Sequence, residues 1–203
     1  MLPGVCIGIE PFLVMIWAAI EEFRKECLGV FLGYRPTARD NNFYIAATIP
    51  LQSVRRGRKG KALTEVDQSK YSRERLEDFE KWLEASRISI IGDFHSHAEY
   101  RGLPPPIELS GFDKNHMAED EIGMLVSISS RKKGKMPWET LSDGRVSGSL
   151  GRYDFLFSAY MLEKTDDEKD KNVEEENCGK KAHLLQIIAP SAIKMLNRMQ
   201  LKK

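Results

Sequence analysis

Apolar residues at helical spacing predict two helices in the first half of the chain. Pro11 is suited to the first turn of a helix, and the apolar stripe that follows should face the core. Ser72 is suited to cap a second helix, and acidic residues follow it in the first turns. The predicted inner stripes are Leu13, Trp17, Ile20 and Phe23 in the first helix and Leu76, Phe79 and Leu83 in the second.

Short apolar runs bounded by turn residues predict strands. They are Cys27–Gly33, Phe43–Leu51, Ile88–His97, Gly123–Ser130, Gly144–Tyr153 and Phe155–Leu162. Between two of them, the run from Arg55 to Lys61 mixes glycines with cations, which favours a solvated loop over a loop that receives an acidic partner.

A change of composition divides the chain after residue 162. Residues 163–181 are almost entirely charged or polar, which predicts a solvated linker. Residues 182–201 carry an apolar helical stripe, broken or started by Pro190, which predicts a C-terminal helix within residues 182–203. We therefore expect one domain over residues 1–162, a charged linker and a helical appendage.

Composition and charge narrow the classes of function. The chain has 203 residues, 41% of them hydrophobic and 30% charged, with a net charge of +1. This balance predicts no attraction to nucleic acid or to an anionic membrane. The chain has three cysteines, which lie far apart and form no C-x-x-C pair. This argues against a disulfide framework and against a zinc site made of cysteines alone. The apolar N-terminus lacks the positive region of a signal peptide, so we expect a cytoplasmic protein.

The most informative motif is the H-x-H pair, His95 and His97, at the end of a predicted strand. Side chains alternate along a strand, so both rings point to the same face. Two converging imidazoles provide half of a zinc site, and an oxygen ligand would complete the three protein ligands of a catalytic site. Taken alone, the pair is as compatible with polar strand-edge residues, or with a metal site without catalysis, as it is with a catalytic zinc site.

A third ligand is available shortly after the histidines. Asp113 follows the glycine- and proline-rich stretch "RGLPPP", which can bring the chain back over the strand end. Ser110 stands three residues before Asp113, so a helix beginning there would place both side chains near one face. His116 is a rival ligand.

Together these motifs resemble the JAMM (MPN-plus) zinc metallopeptidase family. Its pattern is a glutamate near the start, then H-S/T-H, then S-x-x-D, and this chain has Glu26 before "CLGVFLG", "HSH" at His95–His97 and "SGFD" at Ser110–Asp113. The resemblance covers roughly residues 10–162. It implies an α/β (α+β) fold: a single MPN-type domain with a curved mixed β-sheet flanked by helices.

The resemblance also implies a role for each motif residue. His95, His97 and Asp113 would ligate Zn²⁺, Glu26 would act as general base on the zinc-bound water, and Ser110 would donate to the developing oxyanion. Glu26 has a rival interpretation as a solvated helix-end carboxylate. Its place directly before a buried strand favours the catalytic role, because such a residue can face a cleft.

The sequence departs from the family pattern between the two ligand motifs. Ala98 stands where the family often has proline, and the segment from His97 to Ser110 is longer than usual. We therefore expect Ala98–Leu109 to form a substrate-facing flap whose length tunes specificity.

The resemblance implies an isopeptidase or peptidase that cuts amide bonds at the C-terminal tail of ubiquitin-like modifiers or small sulfur-carrier proteins. Such a tail is extended and ends in glycine, which lets its backbone approach a metal closely. The alternative is a non-catalytic MPN scaffold or interaction module in a larger complex, and the retained ligands favour the enzyme. A small-molecule or nucleotide hydrolase has no phosphate-binding glycine motif to support it. The sequence does not indicate an oligomeric state.

Overall fold

The computed structural model describes residues 2–51, 54–56, 66–68, 70–83, 86–100, 102–132, 134–163 and 180–201. The described strands are β1 (Gly4–Ile7), β2 (Leu28–Tyr34), β3 (Asn42–Pro50), β4 (Val54–Arg56), β5 (Val66–Gln68), β6 (Ser89–Ala98), β7 (Ile122–Ser130), β8 (Glu139–Thr140), β9 (Val146–Leu150), β10 (Tyr153–Leu162) and β11 (Ala182–Ile188). The described helices are α1 (Ile9–Glu21), α2 (Lys70–Leu83), α3 (Gly111–His116) and α4 (Pro190–Leu201).

The main sheet closes on itself as a seven-stranded barrel. Its strand order is β11-β1-β3-β2-β6-β7-β10, and a pairing of β10 with β11 completes the ring. The first half of β10 pairs with β9 and its second half with β11, so β9 and β8 extend the sheet outside the ring. The pairs β1–β3, β1–β11 and β6–β7 are parallel and the other pairs in the sheet are antiparallel.

The fold expected from the resemblance is wrong. An α/β (α+β) MPN-type domain with a curved sheet flanked by helices and a C-terminal helical appendage does not describe a closed barrel with four helices among the described residues. The error lies in Ala182–Ile188, which forms β11 between β1 and β10. Leu185 and Ile187 are buried at alternate positions, which is the strand period and not the helical one.

The two faces of the barrel wall pack against different clusters. The main core is formed by side chains on one face of the wall, such as Phe94 on β6 and Val126 on β7, together with residues of α1 and α4. The opposite face carries a smaller cluster made of Leu109, Met117, Leu125, Tyr160 and Leu162. The segment that leads to α3 therefore packs on the face of β6 and β7 that points away from the main core.

The helix α1 packs on the main core as predicted, with Leu13, Ile20 and Phe23 of the predicted stripe partly buried against that core, but its fully buried residues are others. It begins at Ile9, two residues before Pro11, and Trp17 is 61% exposed. The buried residues are Pro11, Phe12, Met15, Ile16, Ala18 and Ala19. Phe12 packs edge-on to Trp138 and stacks on Phe157, so the aromatic groups of the core select the face that is buried.

Other expectations had mixed outcomes. The second predicted helix exists as α2 but begins two residues before Ser72. The predicted strand Gly144–Tyr153 is shorter, because Gly151 turns the chain between β9 and β10. The 163–181 linker and the basic run after Arg56 lie almost wholly outside the described residues. Within the described part of the chain, none of the helices has the length and apolar character to cross a membrane.

Candidate metal centre

The two motif histidines project from β6 on the face opposite the main core. Phe94 and Ser96, which alternate with them, are fully buried on the other side. The two Nε2 atoms of His95 and His97 are 3.2 Å apart, and the rings meet at 62°. The period of the strand thus converts the H-x-H spacing into two nitrogen atoms aimed at one point.

A capping box holds Asp113 against the histidines. Ser110 is the N-cap of α3: its Oγ accepts a hydrogen bond from the Asp113 backbone N–H at 3.1 Å, and its own N–H donates to Asp113 Oδ2 at 2.7 Å. Asp113 Oδ1 lies 3.5 Å from His95 Nε2, and Oδ2 lies 3.7 Å from His97 Nε2. The box fixes the orientation of the carboxylate as well as the start of the helix.

Glu26 reaches the same point from the start of β2. The backbone N–H of Cys27 donates to Ser96 Oγ at 2.9 Å, and the Ser96 N–H donates to the Cys27 carbonyl at 3.1 Å. This reciprocal pair ties the residue after Glu26 to the residue between the two histidines. Glu26 Oε1 lies 3.9 Å from His97 Nε2, and its side chain is 12% exposed.

These atoms fit a tetrahedral zinc site. Zinc bonds of about 2.0–2.1 Å at tetrahedral angles separate ligand atoms by about 3.3–3.4 Å. The measured separations of 3.2, 3.5 and 3.7 Å lie close to that edge length. His95, His97 and Asp113 form a group whose ligand atoms all lie within 4.8 Å of one another, and Glu26 is not a member. Glu26 therefore lies beside the candidate ligands.

The electrostatics of the site favour a bound cation. Burial lowers the pKa of His97 to about 4, helped by neighbouring His95. Burial also disfavours protonated His95, but Asp113, Asp93 and Glu26 outweigh it and raise its pKa. Burial opposes ionisation of Asp113, yet the close contact and charge of His95 hold its pKa well below the usual range. A neutral imidazole beside ionised carboxylates is the ligand state that a metal ion requires.

Two other nearby groups are unsuited to ligation. His116 directs Nδ1 to the Phe112 carbonyl at 2.8 Å and is not part of the ligand group found among the described residues. Burial raises the pKa of the Cys27 thiol to about 11, so it stays protonated at neutral pH. Ser110 is exposed, and its Oγ serves the cap as an acceptor while its hydroxyl hydrogen can still donate.

Asp93 is a member of the site that the motif analysis did not include. It stands two residues before His95 on β6 and so shares its face. Burial raises the pKa of Asp93, and the negative charge of Asp113 raises it further. The charges of His95 and His116 act in the opposite direction but do not cancel the rise. The alternation of side chains along β6, which places His95 and His97 on one face, also predicts that Asp93, two residues earlier, lies on that face.

The segment between the two ligand motifs carries exposed apolar side chains. Tyr100 and Leu103 form a bridge around Gly102, which has a positive φ of 80°. The later half is anchored by Ser127, whose hydroxyl donates to the Pro106 carbonyl at 2.7 Å. The apolar side chains exposed along this segment and at the start of α3 are Tyr100, Leu103, Ile107 and Phe112.

A separate surface hollow lies away from these residues. It has a volume of about 490 Å³ and is lined by Glu77, Glu80, Lys81, Arg87, Ile88 and Ser89. Ser89 opens β6, six positions before His95, which is about 20 Å along a strand. The hollow therefore adds no residue to the metal centre.

Comparison with known proteins bears on the fold alone. No family model matches the chain, and no curated protein matches it. A solved structure that is similar is the solution structure of protein DSY2949 from Desulfitobacterium hafniense. It aligns with a TM-score of 0.52 at 14% identity, over 91% of this chain and 92% of that one.

Proposed function

We propose that this protein is a zinc-dependent hydrolase of amide bonds, with His95, His97 and Asp113 as metal ligands and Glu26 as general base. The observation that carries the proposal is the convergence of two imidazoles and two carboxylates from three separate parts of the chain. Of the two carboxylates, Asp113 belongs to the tight ligand group and Glu26 lies beside it. Three protein ligands with one position open is the arrangement of catalytic zinc.

The residues of the chain divide the chemistry among them. Zinc, when bound, polarises a carbonyl oxygen and lowers the pKa of a coordinated water to about 7. Glu26 accepts the proton of the attacking water, so that a new C–O bond forms at the amide carbon. The C–N bond then breaks, and Glu26 returns the proton to the leaving nitrogen. We assign to Ser110 the donation of a hydrogen bond to the oxyanion, because its hydroxyl hydrogen is not used when Oγ accepts from the Asp113 N–H.

A protein tail is the substrate that suits the surroundings best. Leu103 is 67% exposed, Ile107 and Phe112 are also exposed, and Phe112 directly precedes the candidate ligand Asp113. Contiguous exposed apolar side chains are typical of surfaces that bind other proteins. An extended glycine-ended tail of a ubiquitin-like modifier or a sulfur-carrier protein can reach a metal between such side chains.

The first test is metal content. Elemental analysis of the purified protein should give about one zinc per chain, and His95→Ala should lose it, because each ligand is needed to hold the ion. His116→Ala is the matched control and should keep its zinc, since its ring lies outside the ligand group. Carefully purified wild-type protein without any metal would contradict the enzyme and favour the scaffold alternative.

The second test identifies the substrate. A panel of modifier conjugates and tail-extended sulfur-carrier proteins is incubated with the protein, with and without a chelator, and products are read by mass spectrometry. We expect cleavage after the terminal glycine of at least one substrate and loss of that cleavage with chelator. Zinc-loaded protein that cuts none of them would exclude the tail substrates while leaving the metal site intact.

A further inference from the structure

Positively charged side chains gather at the end of the barrel where β6 and β7 finish, which is the end of β6 that carries His95 and His97. The rings of Phe23 and Tyr153 pack 4.8 Å apart. The Arg24 guanidinium lies 6.0 Å from the Phe23 ring centre, and that of Arg152 lies 5.3 Å from the Tyr153 ring centre. The ring pair therefore brings two arginines from distant parts of the sequence to one place.

Two more cations join them from the end of β7. The backbone N–H of Arg131 donates to the Arg152 carbonyl at 2.8 Å, and Lys132 follows directly. Arg24, Lys132 and Arg152 are exposed. Arg131 Nη1 is buried and makes no hydrogen bond with the described residues, so this guanidinium is incompletely satisfied. We call Arg24, Arg131, Lys132 and Arg152 the basic rim.

The basic rim is continuous with the metal centre through Glu99. Glu99 lies two residues beyond His97 and directly after the end of β6 at Ala98, about 7 Å further along the chain. Its carboxylate accepts hydrogen bonds from the N–H and the hydroxyl of Ser130, at 2.9 and 2.8 Å. Ser130 in turn precedes Arg131. A chain that leaves the metal centre in this direction meets the basic rim within a few residues.

The carboxylates near the basic rim leave it positive. The hydrogen bonds from Ser130 lower the pKa of Glu99, and the positive charges of Lys132 and Arg24 lower it further. Glu26 belongs to the metal centre, and Glu22 closes α1. The basic rim has four cations, and two of them, Lys132 and Arg24, act on the charge of Glu99. Such a surface attracts an anionic partner and orients it.

We propose that the basic rim binds an acidic segment of the protein substrate, a few residues from the bond that is cut. This inference rests on the proposed function and adds a substrate feature to it. A protein segment suits the surface better than nucleic acid, because Phe23 and Tyr153 pack on each other and carry the guanidinium groups. Unstacked nucleic acid is usually held by aromatic faces that are open to the bases.

Peptide binding without turnover tests the proposal. The probes are two fluorescent peptides that end in Gly-Gly, one with a run of Asp and Glu and one with Asn and Gln at the same positions. Fluorescence anisotropy is measured on metal-free protein at low salt and at about 0.15 M salt. We expect the acidic peptide to bind at least about tenfold more tightly, and the difference to shrink with salt.

Charge-reversal variants locate the binding surface. The double variant Lys132→Glu/Arg152→Glu should weaken binding of the acidic peptide about tenfold or more. The matched control, Lys194→Glu/Arg198→Glu on the exposed side of α4, should change it less than twofold. If the rim reversal disturbs the circular dichroism spectrum, Lys132→Gln/Arg152→Gln decides, with an expected loss of a few-fold.

Three results would overturn the proposal: equal binding of the two peptides, an equal loss in the control, or tighter binding of a single-stranded oligonucleotide of the same charge. Because no hydrolysis is measured, these results are independent of the proposed activity. A protein that binds the acidic peptide through the basic rim but cuts no substrate would contradict the proposed function alone.

Discussion

At the scale of single residues, the two carboxylates of the candidate metal centre are held in different ways. Asp113 is oriented by the Ser110 capping box and lies within 3.7 Å of both imidazoles. Glu26 comes from the segment just before β2 and approaches His97 at 3.9 Å. A carboxylate that lies beside the ligands can take a proton from a water between them without occupying the metal.

Glu26→Gln should therefore separate metal binding from chemistry. The amide has nearly the same size and can still hydrogen-bond, but it does not accept a proton at neutral pH. Zinc content and substrate affinity should persist while kcat falls by about 10²-fold or more, the usual effect of losing a positioned base. Elemental analysis measures the zinc content, and single-turnover kinetics measure the substrate affinity and the rate of the chemical step.

His116→Ala is the control for this experiment, because that ring is near the site and has no assigned chemistry. It should retain wild-type kcat. If Glu26→Gln retained near-wild-type turnover, Glu26 would not be the base, and Glu99 and Glu108 would be the next candidates to test.

At the scale of elements, the site depends on how strand ends are joined to one another. Ser96 occupies the position between the histidines, yet its side chain points to the other face and holds the Cys27 backbone. One buried hydroxyl thus sets the distance between the start of β2, which carries Glu26, and the end of β6. The H-S-H motif therefore supplies two ligands, His95 and His97, and also Ser96, which positions Glu26 through the neighbouring Cys27.

Ser96→Ala should loosen this junction. It leaves the Cys27 N–H without its partner, and an unsatisfied buried donor costs about 1–3 kcal/mol. We expect zinc to be retained and kcat to fall by at least several-fold, with little change in KM, because the misplaced group acts on the chemical step. Chemical denaturation and steady-state kinetics of the zinc-loaded protein measure these effects.

Ser149→Ala is matched to it in burial and in hydrogen bonding. Ser149 donates to Asp154 at 2.6 Å and accepts from the Met136 N–H at 2.9 Å, away from the metal centre. It should lose comparable stability and keep its kcat. Equal kinetic losses in the two variants would assign the Ser96 effect to general destabilisation.

The elements that sequence analysis identified are those governed by local rules. The period of β6 places His95 and His97 on one face, and the Ser110–Asp113 spacing forms the capping box. The predicted stripe of α1 was wrong at Trp17, because the helix is apolar on several sides and the partners Trp138 and Phe157 bury the side that carries Phe12. Asp93 was missed because a lone aspartate in a strand has no motif, although its face follows from its position.

At the scale of the whole molecule, the C-terminal segment is part of the barrel and not an attachment to it. β11 lies between β1 and β10, which come from opposite ends of the domain sequence. Hydropathy along the chain does not reveal such a partner, since closure depends on two strands far from Ala182–Ile188 in sequence. The apolar pattern over residues 182–201 therefore suggested a helix, broken or started by Pro190, where the structure has a strand and then α4, which begins at Pro190.

The packing of α4 leads to a prediction about the stability of the whole domain. Leu196 is fully buried in the main core, and Asn197 accepts from the Trp138 N–H and donates to its carbonyl, at 2.7 and 2.8 Å. Leu196→Ala should lower the free energy of unfolding by about 2–5 kcal/mol, the range for a buried leucine. Leu201→Ala, at a side chain that is 84% exposed, should change it by less than about 0.5 kcal/mol. Urea unfolding followed by circular dichroism and by tryptophan fluorescence should give one coincident transition, because α4 and the barrel share one core. If Leu196→Ala instead produced an early transition of the helix alone, with the main transition unchanged, α4 would be an independent unit and the domain would end before it.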